Sequence, residues 1–386
     1  MIKNKLFNYQ RKRRVTFLGV GPMSLNCVDT SIKLANKYEI PIFLIASRRQ
    51  IECQKFGGGY VNNWSTESFS SYVNKKDKKG KIFLARDHGG PWQNPNEIDQ
   101  NIGIGEAMQL AKESFMADIK SGFKILHIDP SIDIHSKPSV DEILDRVYEL
   151  YEFCWTQAQR LQKDLVFEIG TEEQSGGTNT PEELDYILSS LKNFCFSNKL
   201  PFPTFVVIQS GTKVLEESNV GSFDSPIRIA NQIPAEIQIP KMLKICKQYD
   251  VMMKSHNTDY LSNEALSWHP KLGIHSANVA PEFGVVETKA FLKILKENNL
   301  NTLYDEFVEL SYESLKWQKW IKPNSKASVI DKAVISGHYI FSKPEFIEIK
   351  NKATNFLKGK DILLDEVLKK SIEISIIRYL KNFRLI

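Results

Sequence analysis

The chain has 386 residues, 42% of them apolar and 25% charged, and a formal net charge of +5. That length can bury a large core and allows either two domains or one large α/β barrel with additions. The small charge, with lysines dispersed over helical stretches rather than gathered with aromatics, argues against nucleic-acid binding. Five scattered cysteines without a CxxC pair argue against a disulfide framework or a structural zinc site and for a reducing compartment. The N-terminus shows no apolar leader, and no window reaches the ~20 apolar residues that span a bilayer. A cytoplasmic protein with no membrane or nucleic-acid partner is expected.

The dense basic cluster Arg11-Lys12-Arg13-Arg14 sits directly before an apolar run. It reads as a solvated strand entrance, with a phosphate or targeting patch as the alternative. Residues 15–19 form the first strand candidate, followed by Gly21-Pro22-Met23-Ser24 and a helix through Tyr38. Pro41 introduces a second strand of the buried, parallel type over 42–46. The loop with Gly57, Gly58, Gly59 and Tyr60 precedes a helix through Val73, capped by Ser65 or Thr66. The stretch at 81–92 is the one around which the chain is organised: an apolar run that ends abruptly in Asp87-His88-Gly89-Gly90-Pro91, a strand that stops at a functional edge.

A helix over 104–120 leads to the fourth strand, 124–129, on which His127 and Asp129 point the same way. A helix over 139–161 carries acids early and basic residues late, as the helix dipole favours. The fifth strand, 165–170, ends in Thr171-Glu172-Glu173-Gln174-Ser175-Gly176-Gly177. The sixth, 204–209, exits through Ser210, and the seventh, 251–256, ends in Asn257-Thr258-Asp259. The eighth is 273–279. From Val285 onward the pattern is almost wholly helical, with further helices over 344–357 and 362–383.

Eight apolar runs that alternate with helices and finish in polar residues predict a (β/α)8 barrel over 1–284, with a helical C-terminal extension over 285–386 packed on it. The rival, an open doubly wound sheet, lacks a GxGxxG after any strand. In a barrel Asp87, His88, Asp129, Glu172, Gln209, His256 and Asp259 converge on one mouth. Acids and imidazoles there supply proton transfer and ligands for a divalent metal, the parts needed to stabilise an enediolate. The bland readings are a structural Asp-His pair, core histidines at His127 and His275, and a solvated Glu172-Glu173 pair. Gly58, Gly59 and Gly176 either cradle a phosphate through backbone N–H groups or lie in plain flexible loops. His135, His269 and His338 receive no metal role.

The segments Phe56-Gly57-Gly58-Gly59-Tyr60, Asp87-His88-Gly89-Gly90-Pro91, 124–131, Ile169-Gly170-Thr171-Glu172, 206–209 and His256-Asn257-Thr258-Asp259-Tyr260 carry a resemblance over roughly 15–341. The chain resembles the accessory, non-catalytic subunits of the class II tagatose-1,6-bisphosphate aldolases. The resemblance implies a barrel, carbohydrate metabolism and work beside a separate catalytic aldolase subunit. It also implies His88 and His256 as ligands of a divalent metal, zinc or manganese. Three features depart from the family. No His follows strand six, where Glu216 or Glu217 would have to substitute. The family's glutamate after strand two is missing near Ala46-Ser47, and Ser336 to Phe341 replaces an Arg-rich segment. The expected activity is therefore aldol cleavage or epimerisation of a sugar or sugar phosphate in a homo-oligomeric enzyme. Asp87, Glu172 and Asp129 are its catalytic residues, and Gly58, Gly59, Gln209, Asp259 and Gly176 bind substrate. The alternative is a non-catalytic subunit that stabilises a separate aldolase.

Overall fold

A computed structural model describes residues 1–171, 180–225 and 233–386. Ten strands are described: β1 Phe17–Val20, β2 Ile42–Ser47, β3 Ile82–Gly89, β4 Ile125–Ile128, β5 Val166–Ile169, β6 Phe205–Val207, β7 Val214–Leu215, β8 Ser218–Asn219, β9 Met252–Ser255 and β10 Ser276–Val279. β7 and β8 form a small antiparallel hairpin. The other eight close into a parallel barrel in chain order, β10 returning to β1. The eightfold alternation read from the sequence is thus a (β/α)8 barrel.

The helices are α1 Ile2–Arg13, α2 Leu25–Tyr38, α3 Thr66–Lys76, α4 Pro95–Asp99, α5 Ile104–Ser121, α6 Val140–Arg160, α7 Pro181–Ser197, α8 Ala235–Gln248 and α9 Asn263–Leu272. Beyond β10 come α10 Pro281–Glu297, α11 Asn301–Glu313, α12 Val329–Ser336, α13 Pro344–Lys358 and α14 Leu364–Asn382. Several starts are specified locally: Ser65, Ser139, Thr180 and Ser328 each make a reciprocal capping box with the residue three positions on.

Inside the barrel, side chains alternate with the strand pleat. The floor is aromatic: the rings of Phe17, Phe83 and Phe205 surround that of Phe43 at 5.3–6.0 Å. Moving toward the C-terminal strand ends, the same faces become polar, so the core itself delivers the site to one rim. The extension has a separate small core in which Phe291, Phe307 and Phe346 contact one another. α14 then folds back, and Ile372, Ile376 and Tyr379 join the barrel core.

The basic cluster is exposed ahead of β1, as its sequence reading has it, but it closes a helix that the apolar pattern did not show. Arg11, Lys12 and Arg13 form the last turn of α1, where cations complement the helix dipole, and Arg14 is its left-handed cap. α1 lies at the N-terminal end of the barrel, with Tyr9 5.7 Å from Phe17.

Candidate active site

β3 does something an ordinary strand cannot. Successive residues of a strand face opposite sides, yet Asp87 and His88 both face the mouth. The β3–β4 register shifts between Arg86 and Gly89, and His88 has a positive φ of 47°. A bulge of this kind re-aims a side chain, and a left-handed non-glycine residue is conformationally costly, which is why such residues concentrate at functional sites. Glycines make the room: a Cβ at Gly170 would lie 2.3 Å from His127 Nε2, and one at Gly19 would lie 2.2 Å from Asn278 Oδ1.

Four side chains from four strands meet there. Asp87 Oδ1 is 3.6 Å from His127 Nδ1 and 3.8 Å from His256 Nε2. Glu168 Oε1 is 3.6 Å from His127 Nδ1 and 3.3 Å from His256 Nε2. The Asn278 amide donates to Asp87 Oδ1 and lies 3.1 Å from His256 Nε2. A second set shares His127: His88 Nδ1 is 2.5 Å from Asp129 Oδ2, and Ser131 donates to Asp129 Oδ1.

The four-residue set fits a divalent ion. Tetrahedral bonds of about 2.1 Å place donor atoms roughly 3.4 Å apart, close to the separations above. Two carboxylates and two imidazoles suit zinc or manganese. His127 Nδ1 accepts the His88 backbone N–H at 3.1 Å, so His127 gives up that bond if it serves as the fourth ligand. Two buried polar atoms of the cluster, His127 Nε2 and Asn278 Oδ1, have no hydrogen-bond partner among the described residues. An unmet polar group in a core is costly unless something else meets it.

The electrostatics keep the acids ionised. Burial pushes Glu168 up, but the Lys254 ammonium, 2.6 Å from Oε2, and the histidines bring it to about 2. Burial likewise opposes Asp87, and His88 and His256 hold it well below the usual carboxylate range. Asp129 falls to about 2 because His88 outweighs its burial. His88 moves the other way: burial disfavours its charge, yet Asp87 and Asp129 lift it to about 9. His256 is lowered, chiefly by burial.

Asp87, His88 and Asp129 open into a cavity of ≈420 Å³ whose far wall comes from the C-terminal extension: Lys319, Trp320 and Tyr339. Trp320 donates to the Tyr339 hydroxyl, and Tyr339 packs on Tyr60 at 4.9 Å. Arg49 also lines this cavity. Clefts of ≈540 Å³ near α1 and ≈520 Å³ beside β7 and β8 are larger, but among the described residues neither holds a grouping that could bind a metal.

The structure therefore brings together Asp87, His88, Asp129 and His256. It adds His127, read as core, and Glu168, Lys254 and Asn278, which sequence reasoning missed. Their signal was a charged or amide residue inside an apolar strand run. Glu172 and Gly176 lie outside the described residues. Gln209 is half-buried and does not line the cavity. Asp259 is buried beneath the rim, where Oδ1 accepts the N–H groups of Ala280 and Glu282 at the start of α10. Gly58 has φ +75°, and a Cβ at Gly59 would lie 2.1 Å from Gln50 O, so backbone packing accounts for both glycines. The substitution of Glu216 or Glu217 for a strand-six histidine is corrected: Glu216 binds Ser325 and Lys322, and Glu217 binds Lys289, all on the extension side. β6 instead exits through Ser210 and Thr212, whose hydroxyls bond Ser255 and the His256 carbonyl. His275 accepts the Met253 N–H away from the mouth.

No family model matches the chain. Solved structures do. A probable tagatose 6 phosphate kinase from Sinorhizobium meliloti superposes with a TM-score of 0.73 at 16% identity, over 95% of this chain and all of that one. The fructuronate-tagaturonate epimerase UxaE from Cohnella laeviribosi gives 0.55 at 11% identity, over 96% of this chain and 82% of that one. A fructose-bisphosphate aldolase from Campylobacter jejuni gives 0.52 at 14% identity, over 90% and 93%. The fold is shared. At these identities the likeness speaks for the barrel and leaves the chemistry to the residues themselves. No helix among the described residues is long and apolar enough to cross a membrane.

Proposed function

We propose that the protein is a metal-dependent enzyme that cleaves or epimerises a sugar carrying an anionic group, by moving a proton next to a carbonyl. The observation that carries this reading is the buried Asp87–His127–Glu168–His256 donor set beside the His88–Asp129 pair, with Asp87, His88 and Asp129 lining one cavity. Two of the structural neighbours, a fructuronate-tagaturonate epimerase and a fructose-bisphosphate aldolase, support the same reading.

Asp87, Glu168 and His256, with His127, would hold the ion. A divalent cation there supplies Lewis-acid polarisation of a substrate carbonyl. The chain supplies the proton handling. Asp129 occupies His88 Nδ1, which leaves Nε2 directed to the cavity side, 3.9 Å from Asp87 Oδ2. His88, held at Nδ1 by Asp129, is placed to give a proton to the substrate from Nε2. Asp87, through Oδ2, the oxygen turned away from the donor set, faces His88 Nε2 and holds that imidazole toward the cavity. Asp129 orients the imidazole, as a buried acid does in other acid–imidazole pairs. Arg49 and Lys319 line the cavity and make no ion pair among the described residues, so they suit a phosphate or carboxylate on the substrate. Trp320 and Tyr339 exclude water from the far side.

The test is hydrogen exchange in deuterium oxide, followed by NMR, with zinc or manganese present and a panel of ketose phosphates and ketonic sugar acids. Exchange at a carbon next to the carbonyl, lost in Asp87→Asn, supports the reading. Absence of exchange for the whole panel, together with activation of a separate aldolase, would favour the non-catalytic subunit.

A further inference from the structure

A second cavity lies outside the mouth. It occupies ≈320 Å³ between the start of α2, the loop at 61–63, α10 and α13, and only Met23 belongs to both cavities. His338 lines it. This imidazole is 1% exposed, and neither ring nitrogen has a hydrogen-bond partner among the described residues. A buried imidazole with both nitrogens unmet is rare in folded proteins and points to a missing partner. Gly284 is shaped around the ring, since a Cβ there would lie 2.6 Å from His338 Cγ.

What the cavity would bind follows from which of its groups are already used. The charged side chains are committed: Lys350 pairs with Asp365 at 2.6 Å, and Glu287 accepts from Ser24 and Asn26. Burial lowers His338 to about 3, so it is neutral. The groups not already used are uncharged: both buried His338 nitrogens and, at the exposed rim, the amides of Asn62 and Asn351. The apolar part of the lining includes Phe341 and Phe346, stacked at 4.8 Å, beside Met23, Leu25, Val61 and Ile347. Neutral donors and acceptors beside an aromatic face match a molecule with many hydroxyls on one side and C–H groups on the other.

We propose that this cavity binds an uncharged, hydroxyl-rich small molecule, a monosaccharide or polyol, through His338, Asn62 and Asn351. It is separate from the mouth and does not depend on the function proposed there.

The experiment is saturation-transfer NMR and titration of the full-length protein with glycerol, sorbitol and glucose, with glucose 6-phosphate as the charged control. A neutral probe should bind the parent and prefer it over the charged control. His338→Leu should weaken that binding by about tenfold or more, the cost of leaving polar ligand groups unmet, whereas His338→Gln should stay within a few-fold. If His338→Leu fails to fold, the rim double variant Asn62→Ala/Asn351→Ala reads the same loss. Asp87→Asn/His256→Ala should leave the binding unchanged, which separates this site from the mouth. Failure of every neutral probe to bind, or equal binding by the His338→Leu and rim variants, would overturn the proposal and leave ordered water as the partner of His338.

Discussion

Arg86 and Asp87 are neighbours in β3, and the two ionic clusters they enter, one outside the barrel wall and one inside it, differ in kind. Outside, every N–H of Arg86 is used: Asp118 takes two, and Thr66 and the carbonyls of Ala46 and Ile51 take the rest. Arg48 beside it binds Glu52, Glu97 and the Gly90 carbonyl, which fixes the loop that follows His88. Inside, two carboxylates crowd between two imidazoles, and two polar atoms have no partner. Among the described residues the outer cluster pairs each charge and leaves one atom unmet, Glu97 Oε2, whereas the inner one crowds its acids and leaves two. A cluster that satisfies itself holds a fold together; one left unsatisfied is arranged for something that arrives.

The comparison can be broken from either side. The largest expected effect is on stability, from Arg86→Met, which strands Asp118 in the wall. Removing one partner of a buried pair costs about 3–5 kcal/mol, so urea denaturation should show a loss of that order. Asp87→Asn should fall chiefly on turnover. It gives up the support that His88 and His256 lend the ionised acid, so metal-free stability falls, but by less than in Arg86→Met because the amide can still pair with Asn278, while turnover drops by about 10²–10⁴-fold, the usual weight of a positioned group in a proton transfer. A large loss of metal-free stability in Asp87→Asn would put the inner cluster in the same class as the outer one.

The fold was legible because the eight strands are apolar and end in polar residues, a pattern that survives without tertiary information. Asp87, His88 and His256 were legible for the same reason, standing just past such runs. Glu168 and Lys254 were not, since each sits inside a run and reads as strand until closure shows which face is the lumen. Asp259 was read into the mouth by its position after β9. Left-handed turns at Asn257 and Tyr260 accompany the placement of its carboxyl on α10 instead, and a linear pattern does not encode them. α1 escaped notice because only Ile2 and Leu6 are buried on it, too few for an apolar period.

Smaller effects sharpen the contrast. His88 is raised from its ordinary value to about 9, so the native state holds a proton that the unfolded chain releases near 6.5. Its stabilising contribution is complete below about pH 6.5 and is lost as pH rises through about 9. Activity that needs the imidazolium should fall on an alkaline limb of its own, and Asp129→Asn should move that limb to lower pH. An unmoved limb would remove Asp129 from its positioning role. Asp259, raised to about 7 by burial and by Glu282, is the mildest case. Its native state prefers the neutral acid, so stability declines as pH climbs from about 4 to 7. Asp259→Asn keeps the acceptor for α10 and should flatten that decline, with a melting temperature a few degrees above the parent at about pH 8 and equal to it at about pH 4.

The most direct measurement is metal content of the purified protein after loading with zinc or manganese and desalting, set beside the Asp87→Asn/His256→Ala variant and an Arg86→Lys control. One equivalent in the parent and the control, and none in the mouth variant, is the predicted result. Equal metal in parent and mouth variant, or none in any of the three, would contradict the assignment of the inner cluster as a metal site.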